Sequence, residues 1–194
     1  MRRGKIFIIS GPSGSGKTTL HKQLLLNRRF SKELVKSISA TTRPKHPEEK
    51  NGRDYLFLKS PDFKEKIKKG YFLEWQKVFE NYYGTPKIFV EKLLLRGKNV
   101  LLCIDVKGAQ VVYRQFPDAV RIFIKAPTVA ILKKRLEKRG TESKKDLIHR
   151  LAIAKKELRY AKKYQHVVVN DYLTHAVKSL ESIIHRELNQ QEEQ

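Results

Sequence analysis

Gly11-Pro12-Ser13-Gly14-Ser15-Gly16-Lys17-Thr18 decides the fold of this chain. The octet fulfils the pattern G-x-x-x-x-G-K-[ST], with Gly11, Gly16, Lys17 and Thr18 at its fixed positions. It follows the apolar run Ile6-Phe7-Ile8-Ile9, and Leu20, Leu24 and Leu25 then recur at helical spacing. A strand therefore delivers the chain to a glycine-rich turn, and a helix begins beyond it. Backbone N–H groups of such a turn converge on an anion, and the helix dipole adds about half a positive charge there. Residues Gly11, Pro12, Ser13, Gly14, Ser15 and Gly16 read as a phosphate cradle, with Thr19 continuing its first helical turn. Lys17 can reach outer phosphates, and the Thr18 hydroxyl can ligate Mg²⁺.

The 194 residues suffice for one core with small subdomains, and 40% apolar residues can fill it. No stretch approaches the ~20 apolar residues of a membrane span, so no membrane partner is expected. The basic start, Met1-Arg2-Arg3-Gly4-Lys5, precedes an apolar run too short for a secretory leader. The lone Cys103, inside Val100-Leu101-Leu102-Cys103-Ile104, allows no internal disulfide and reads as a small buried hydrophobe in a reducing cytosol. Charge is the unusual property: 42 Lys and Arg against 20 Asp and Glu give a formal net charge of +22. Thirteen cations and four acids lie between Lys133 and Lys163. In that stretch Leu147, Leu151, Ala154, Leu158 and Ala161 repeat at spacings of 4, 3, 4 and 3, which buries one helix side and leaves lysines on the other. No aromatic–basic interleaving or recognition motif accompanies the charge, so no specific nucleic-acid partner is expected.

Buried strands are predicted over Lys5–Ser10, Val35–Ser39, Asn99–Ile104, Val120–Ile124 and His166–Val169. Helices are predicted over Lys17–Leu26, Lys87–Arg96 (stopped by Gly97), Val129–Lys138 (capped by Thr128), from Ser143 onward, and from a Thr174 cap to about Leu188. Alternating strands and helices argue an α/β fold with a parallel sheet covered on both faces. Residues 41–86 break the rhythm, with strands at Tyr55–Leu58 and Phe72–Val78 around a helix capped by Ser60, entered through Pro61 and ended by Gly70. They read as an inserted small α+β subdomain.

Motifs in and around the insert carry a family likeness. Ser39-Ala40-Thr41-Thr42-Arg43, Asn51-Gly52-Arg53-Asp54-Tyr55, Phe72-Leu73-Glu74-Trp75 and Asn81-Tyr82-Tyr83-Gly84-Thr85-Pro86 resemble the nucleotide-binding segment of guanylate kinases. So do Ile104-Asp105-Val106-Lys107-Gly108-Ala109-Gln110, Arg135-Leu136-Glu137-Lys138-Arg139-Gly140 and Asn170-Asp171. The resemblance implies a P-loop core (1–37, 87–128 and 164–190), a GMP-binding insert (38–86) and a lid (about 129–163). It implies the reaction ATP plus GMP giving ADP plus GDP, with Mg²⁺ and with dGMP as a further substrate. By matching position, Arg43, Tyr55 and Tyr83 take the GMP phosphate, Arg139 and Arg150 are lid arginines, and Arg135 and Asn170 bind ATP. Lys17, Arg43, Arg139 and Arg150 form the implied catalytic set. Asp105 matches the family's acidic residue near metal and guanine, which leaves Thr18 and Asp105 as metal ligands.

Elementary chemistry agrees with that assignment. A phosphate monoester has a second pKa of about 6, so the attacking group is mostly dianionic at neutral pH and needs no general base. What it needs is relief of anion–anion repulsion and in-line placement, which arginine forks and Lys17 supply. Guanine presents two donors beside one acceptor: Glu74 can accept from the donors, Ser39 can donate to the carbonyl, and Thr85 adds a hydroxyl. Adenine would leave the Glu74 carboxylate unpaired. Two departures stand out. The family run T-T-R-x-P-R-x-G-E is here Thr41-Thr42-Arg43-Pro44-Lys45-His46-Pro47-Glu48-Glu49, so His46 stands where a second phosphate arginine is usual. Lys45 or protonated His46 could substitute in part, and weaker GMP affinity is expected. Cys103 stands where an acid often precedes Asp105 by two residues.

Overall fold

Strand β1 (Ile6–Ser10) is buried along its whole length, as its unbroken apolar run requires. In the computed structural model, residues 3–78, 80–138 and 144–192 are described. After β1 come α1 (Lys17–Leu26), α2 (Arg28–Glu33), β2 (Leu34–Lys36), β3 (Ala40–Thr41), β4 (Leu56–Phe57), α3 (Ser60–Lys68), β5 (Phe72–Val78) and β6 (Asn81–Pro86). Then follow α4 (Lys87–Leu95), β7 (Asn99–Cys103), α5 (Val106–Gln115), β8 (Val120–Lys125) and α6 (Val129–Glu137). The chain finishes with α7 (Lys144–Leu158), a 3₁₀ turn (Arg159–Lys163), β9 (His166–Val169) and α8 (Leu173–Glu192).

A five-stranded sheet has the order β2-β7-β1-β8-β9, and a four-stranded sheet has the order β4-β3-β6-β5. The parallel pairs of the first include β1 with β8, from Phe7 opposite Val120 to Ser10 opposite Phe123, and β8 with β9. The second sheet is mixed: β3 runs parallel to β4 and antiparallel to β6, which is antiparallel to β5. This is the α/β architecture with a parallel sheet and a small α+β insert that the periodicity predicts.

The chain divides into two compact units. One comprises residues 1–6, 34–102 and 107–119, and holds the four-stranded sheet. Ala40, Phe63 and Phe72 form a small core there, with the rings of Phe63 and Phe72 stacked at 4.4 Å. The other comprises residues 7–33, 103–106 and 120–194 and holds the glycine-rich loop. Within it Phe7, Ile8, Ile9, Leu20, Leu24, Ile122, Phe123 and Ile124 are fully buried. No helix among the described residues is long and apolar enough to cross a membrane.

Several boundaries differ from expectation. Lys59 rather than Ser60 occupies the cap position of α3, without a side-chain capping bond. Helix α8 starts at Leu173, placing Thr174 inside its first turn instead of at the cap. Thr128 does cap α6, its hydroxyl accepting from the Ile131 N–H at 3.1 Å. Along α7 the apolar repeat is realised, yet only Ala154 is fully buried. The expected start at Ser143 and stop at Gly140 lie outside the described residues. Helices α2 and α5 and strands β3 and β6 have no counterpart in the sequence-based assignment.

Candidate functional site

The loop between β1 and α1 is built from positions that only glycine fills without strain. Gly16 sits at φ 91° and ψ 15° as the N-cap of α1. A Cβ there would lie 2.1 Å from Asn170 Nδ2, and a Cβ at Gly11 (φ 145°) would lie 2.1 Å from the Ile124 carbonyl oxygen. Both features follow from the sequence: a left-handed turn lets the loop fold back, and the absent side chains let it pass close to neighbouring backbone. Asn170 Nδ2 donates to the Ser15 carbonyl at 2.8 Å, locking the loop to the end of β9. Arg135 Nη2 donates to the Asn170 carbonyl at 2.9 Å. Ser15, Gly16, Asn170 and Arg135 are thus joined by close contacts or hydrogen bonds, and Ser15 N–H donates to the Pro12 carbonyl at 3.2 Å within the loop that also holds Gly11, Ser13 and Gly14.

Lys17 folds its ammonium back over the loop. Nζ donates to the Gly11 carbonyl at 2.7 Å and to the Pro12 carbonyl at 3.0 Å. The positive charge is therefore held at the turn before any anion arrives. Thr18 and Thr19, in the first turn of α1, are exposed. Ile104 N–H donates to the Ile9 carbonyl at 3.2 Å, so half-buried Asp105 leaves the sheet beside the end of the strand that feeds the loop. A hydroxyl and a carboxylate are hard oxygen donors, the type Mg²⁺ takes when phosphate oxygens and water complete its shell. Among the described residues no group of three His, Cys, Asp or Glu side chains forms an all-protein metal site. Arg150 lies half-buried on α7. Arg139 lies outside the described residues.

Glu74 and Thr85 form the polar centre of the four-stranded sheet. A bulge between Phe72 and Glu74 sets Glu74 directly opposite Thr85, as an extra residue on one strand re-aims the following side chain. Thr85 Oγ1 donates to Glu74 Oε1 at 2.6 Å, with Glu74 6% and Thr85 0% exposed. Gln115 Nε2 donates to the Leu73 carbonyl at 3.0 Å and holds the bulge. A carboxylate this far from water is an acceptor-only group, matched to a ligand edge that carries donors. Ser39, in the same unit, precedes β3 and is half-buried.

Arg43, in the same unit, is held between aromatic rings and a carboxylate. Its guanidinium lies 5.0 Å from the Tyr55 ring centroid and 5.6 Å from that of Phe57. Tyr55 and Tyr83 meet edge to face at 6.3 Å. Glu49, which the sequence reading does not single out, grips Arg43 in a bidentate pair, at 2.8 Å from Nη1 and 2.5 Å from Nη2. The hydrogen bond from Arg43 pulls the Glu49 carboxyl down to about 2. Reciprocally, the bond to Glu49 raises the Arg43 guanidinium above its ordinary value. His46 approaches through its backbone, whose N–H donates to Glu49 Oε2 at 3.0 Å, while its side chain and that of Lys45 are exposed. Only the acid ending the run Arg43–Glu49 could have signalled this pair in the sequence.

Comparison with known proteins follows the same lines. The family model "Guanylate kinase" matches residues 3–187. Guanylate kinase of Caldanaerobacter subterraneus subsp. tengcongensis is 45% identical over 183 residues, covering 94% of this chain and 87% of its own. That of Thermotoga maritima is 42% identical over 185 residues, covering 95% and 88%. The crystal structure of guanylate kinase from Anaplasma phagocytophilum superposes with a TM-score of 0.78 at 29% identity, covering 96% of this chain and 87% of that one. The chain belongs to the guanylate kinase family.

Proposed function

We propose that this protein transfers the γ-phosphoryl group of ATP to GMP, giving ADP and GDP, with dGMP as a second acceptor. The observation that carries the choice of base is the buried Glu74–Thr85 pair. Glu74 accepts from the ring N–H and amino group of guanine, Thr85 holds that carboxylate in place, and Ser39 donates to the guanine carbonyl. AMP would bring its amino donor without the neighbouring ring N–H, and UMP lacks the amino group. Each leaves a charge-bearing buried acceptor short of a partner, at a cost of about 1–3 kcal/mol.

In the reaction a GMP phosphate oxygen attacks the γ-phosphorus. The bond from that phosphorus to the β–γ bridging oxygen breaks, and its electron pair leaves on ADP. No proton transfer is required, because the acceptor is a dianion near neutral pH. Catalysis then consists of positioning and charge stabilisation. The loop N–H groups and Lys17 hold the ATP phosphates, with Lys17 exchanging the Gly11 and Pro12 carbonyls for phosphate oxygens. Arg135 on α6 and Asn170, the residue after β9, support the nucleotide. Arg43, Tyr55 and Tyr83 hold the acceptor phosphate, and Arg139 and Arg150 of the 129–163 lid neutralise the group in transit. Thr18 and Asp105 are the residues that would hold Mg²⁺, whose contribution when bound is to neutralise β- and γ-phosphate charge. The insert 38–86 supplies the GMP site. A cytosolic location goes with this reading.

A coupled assay of ADP release with GMP, dGMP, AMP and UMP in turn tests the proposal. Turnover with GMP and dGMP, and at most traces with AMP and UMP, is the expected pattern. Equal use of AMP, or no ADP release beyond slow hydrolysis, would reject it.

A further inference from the structure

The phosphoryl-transfer site accounts for few of the cations that give the chain its net charge of +22. The densest remainder lies where α7 passes into the 3₁₀ turn. Lys155, Lys156, Arg159, Lys162 and Lys163 are all exposed. Four residues of α-helix separate Lys155 from Arg159, and three residues of 3₁₀ winding separate Arg159 from Lys162. Both spacings return a side chain to nearly the same side of the axis, so these three cations form a row, flanked by Lys156. Buried Ala154 and half-buried Leu158 lie to one side of the row and face the small cluster with Ala126 and Leu132. Among the described residues none of the five cations makes an ion pair, although Lys133 and Glu137 on the neighbouring α6 stand 3.8 Å apart in one. Glu157, the one acid between Lys155 and Lys163, falls away from the row by helical phase.

We infer that this row is a track for the phosphate backbone of duplex nucleic acid, bound without sequence preference. Its length from Lys155 to Lys162 is about 12 Å by the α and 3₁₀ rises, enough for three long side chains to reach two to three successive phosphates of one strand, which lie about 7 Å apart. A rigid line of unpaired cations suits a duplex. Single strands need exposed aromatic faces for stacking. Here Tyr160 is half-buried and the Lys163 ammonium covers its ring at 5.3 Å. A membrane surface is a poorer match, because no large apolar side chain between residues 155 and 163 is exposed to enter a bilayer.

The test is fluorescence anisotropy of the full chain with a labelled 20-base-pair duplex of scrambled sequence, from 50 to 200 mM salt. It compares wild type, the triple variant K155Q/R159Q/K162Q, and the charge-matched control K64Q/K68Q/K92Q, whose exposed lysines lie on α3 and α4. Three phosphate contacts give a salt slope of about −2.7, so wild type should lose roughly 40-fold more affinity over that range than the row variant. The control should behave as wild type. All three should keep the far-UV circular dichroism spectrum of a folded α/β protein. Equal weakening by row variant and control would assign the binding to net charge alone and overturn the track. Absence of duplex binding by wild type at 50 mM salt, or tighter binding to vesicles containing anionic lipid than to the duplex, would overturn it too.

Discussion

The guanidinium of Arg43 spends its two terminal nitrogens on Glu49, Nη1 on one carboxylate oxygen and Nη2 on the other. Nη1 also donates to the Pro44 carbonyl at 2.8 Å. Among the described residues Nε makes no hydrogen bond, so the side edge formed by Nε and Nη2 keeps donors for an incoming phosphate. Arginine allows this because its five N–H groups lie in one plane and serve two edges at once. In the reaction proposed above Glu49 is thereby a positioning residue: it fixes the plane in which Arg43 would meet the acceptor.

Replacing Glu49 by alanine should raise the Michaelis constant for GMP about tenfold, the effect of losing one well-oriented charge-assisted pair, with kcat changed much less. Removing a carboxylate also relieves repulsion toward the dianionic acceptor. That gain is screened at this partly exposed position, so the loss of geometry prevails. Glu49→Gln should fall between, since its amide oxygen still accepts one bond. Steady-state kinetics at saturating ATP measure the split; an unchanged constant for GMP in Glu49→Ala would remove the positioning role.

Stability should carry the signature of the same pair. Arg43 depresses the Glu49 carboxyl from about 4.5 to about 2 in the folded protein. A depressed folded value means that the pair's contribution is fully present above pH 4.5 and is lost as pH falls toward 2. Urea unfolding of wild type and Glu49→Gln between pH 7 and 3 should give curves that run parallel above about pH 5 and converge below it. A constant gap down to pH 3 would contradict the assignment.

His46 stands in an exposed loop at the position where the resemblance described above implies a second phosphate arginine, and its hydrogen bond to Glu49 comes from its backbone N–H. His46→Arg should lower the Michaelis constant for GMP about fivefold, equivalent to about 1 kcal/mol from a second fork. Turnover at saturating GMP should be nearly unchanged. Titration of initial rates against GMP decides it.

Base choice should follow Glu74. Glu74→Gln replaces an acceptor-only carboxylate by an amide that offers one donor edge, and Thr85 can still donate to its oxygen. The ratio of kcat/KM for GMP over AMP should fall by at least about tenfold, mostly through GMP. An unchanged ratio would mean that the base is read elsewhere.

Much of this arrangement was legible in the sequence, for identifiable reasons. Strand β1, the loop and α1 announce themselves through a pure apolar run, fixed glycines and helical spacing. The α6 cap at Thr128 reads from a hydroxyl just before an apolar repeat. Strand β6 was hidden because Gly84 and Pro86 look like turn residues. Gly84 is there because a Cβ would come within 2.9 Å of the Phe72 ring, a contact set by tertiary packing. Strand β3 is two residues long and exists through its pairing with β4 and β6. Helix α2 begins one residue after Asn27 and holds by burying Phe30. The site's residue types were visible, but the Arg43–Glu49 fork was not. A side-chain pair within an irregular loop leaves no period, and the acid matters only once the backbone has curled to bring it within reach.

The central claim is that the terminal phosphoryl group passes directly from one nucleotide to the other. The most direct measurement follows label from ATP carrying ³²P at the γ-position, incubated with the enzyme, Mg²⁺ and GMP and separated by chromatography. Label should appear in the β-phosphate of GDP, in step with ADP formation, with almost none in inorganic phosphate. Label accumulating as free phosphate while GDP stays unlabelled would contradict the account.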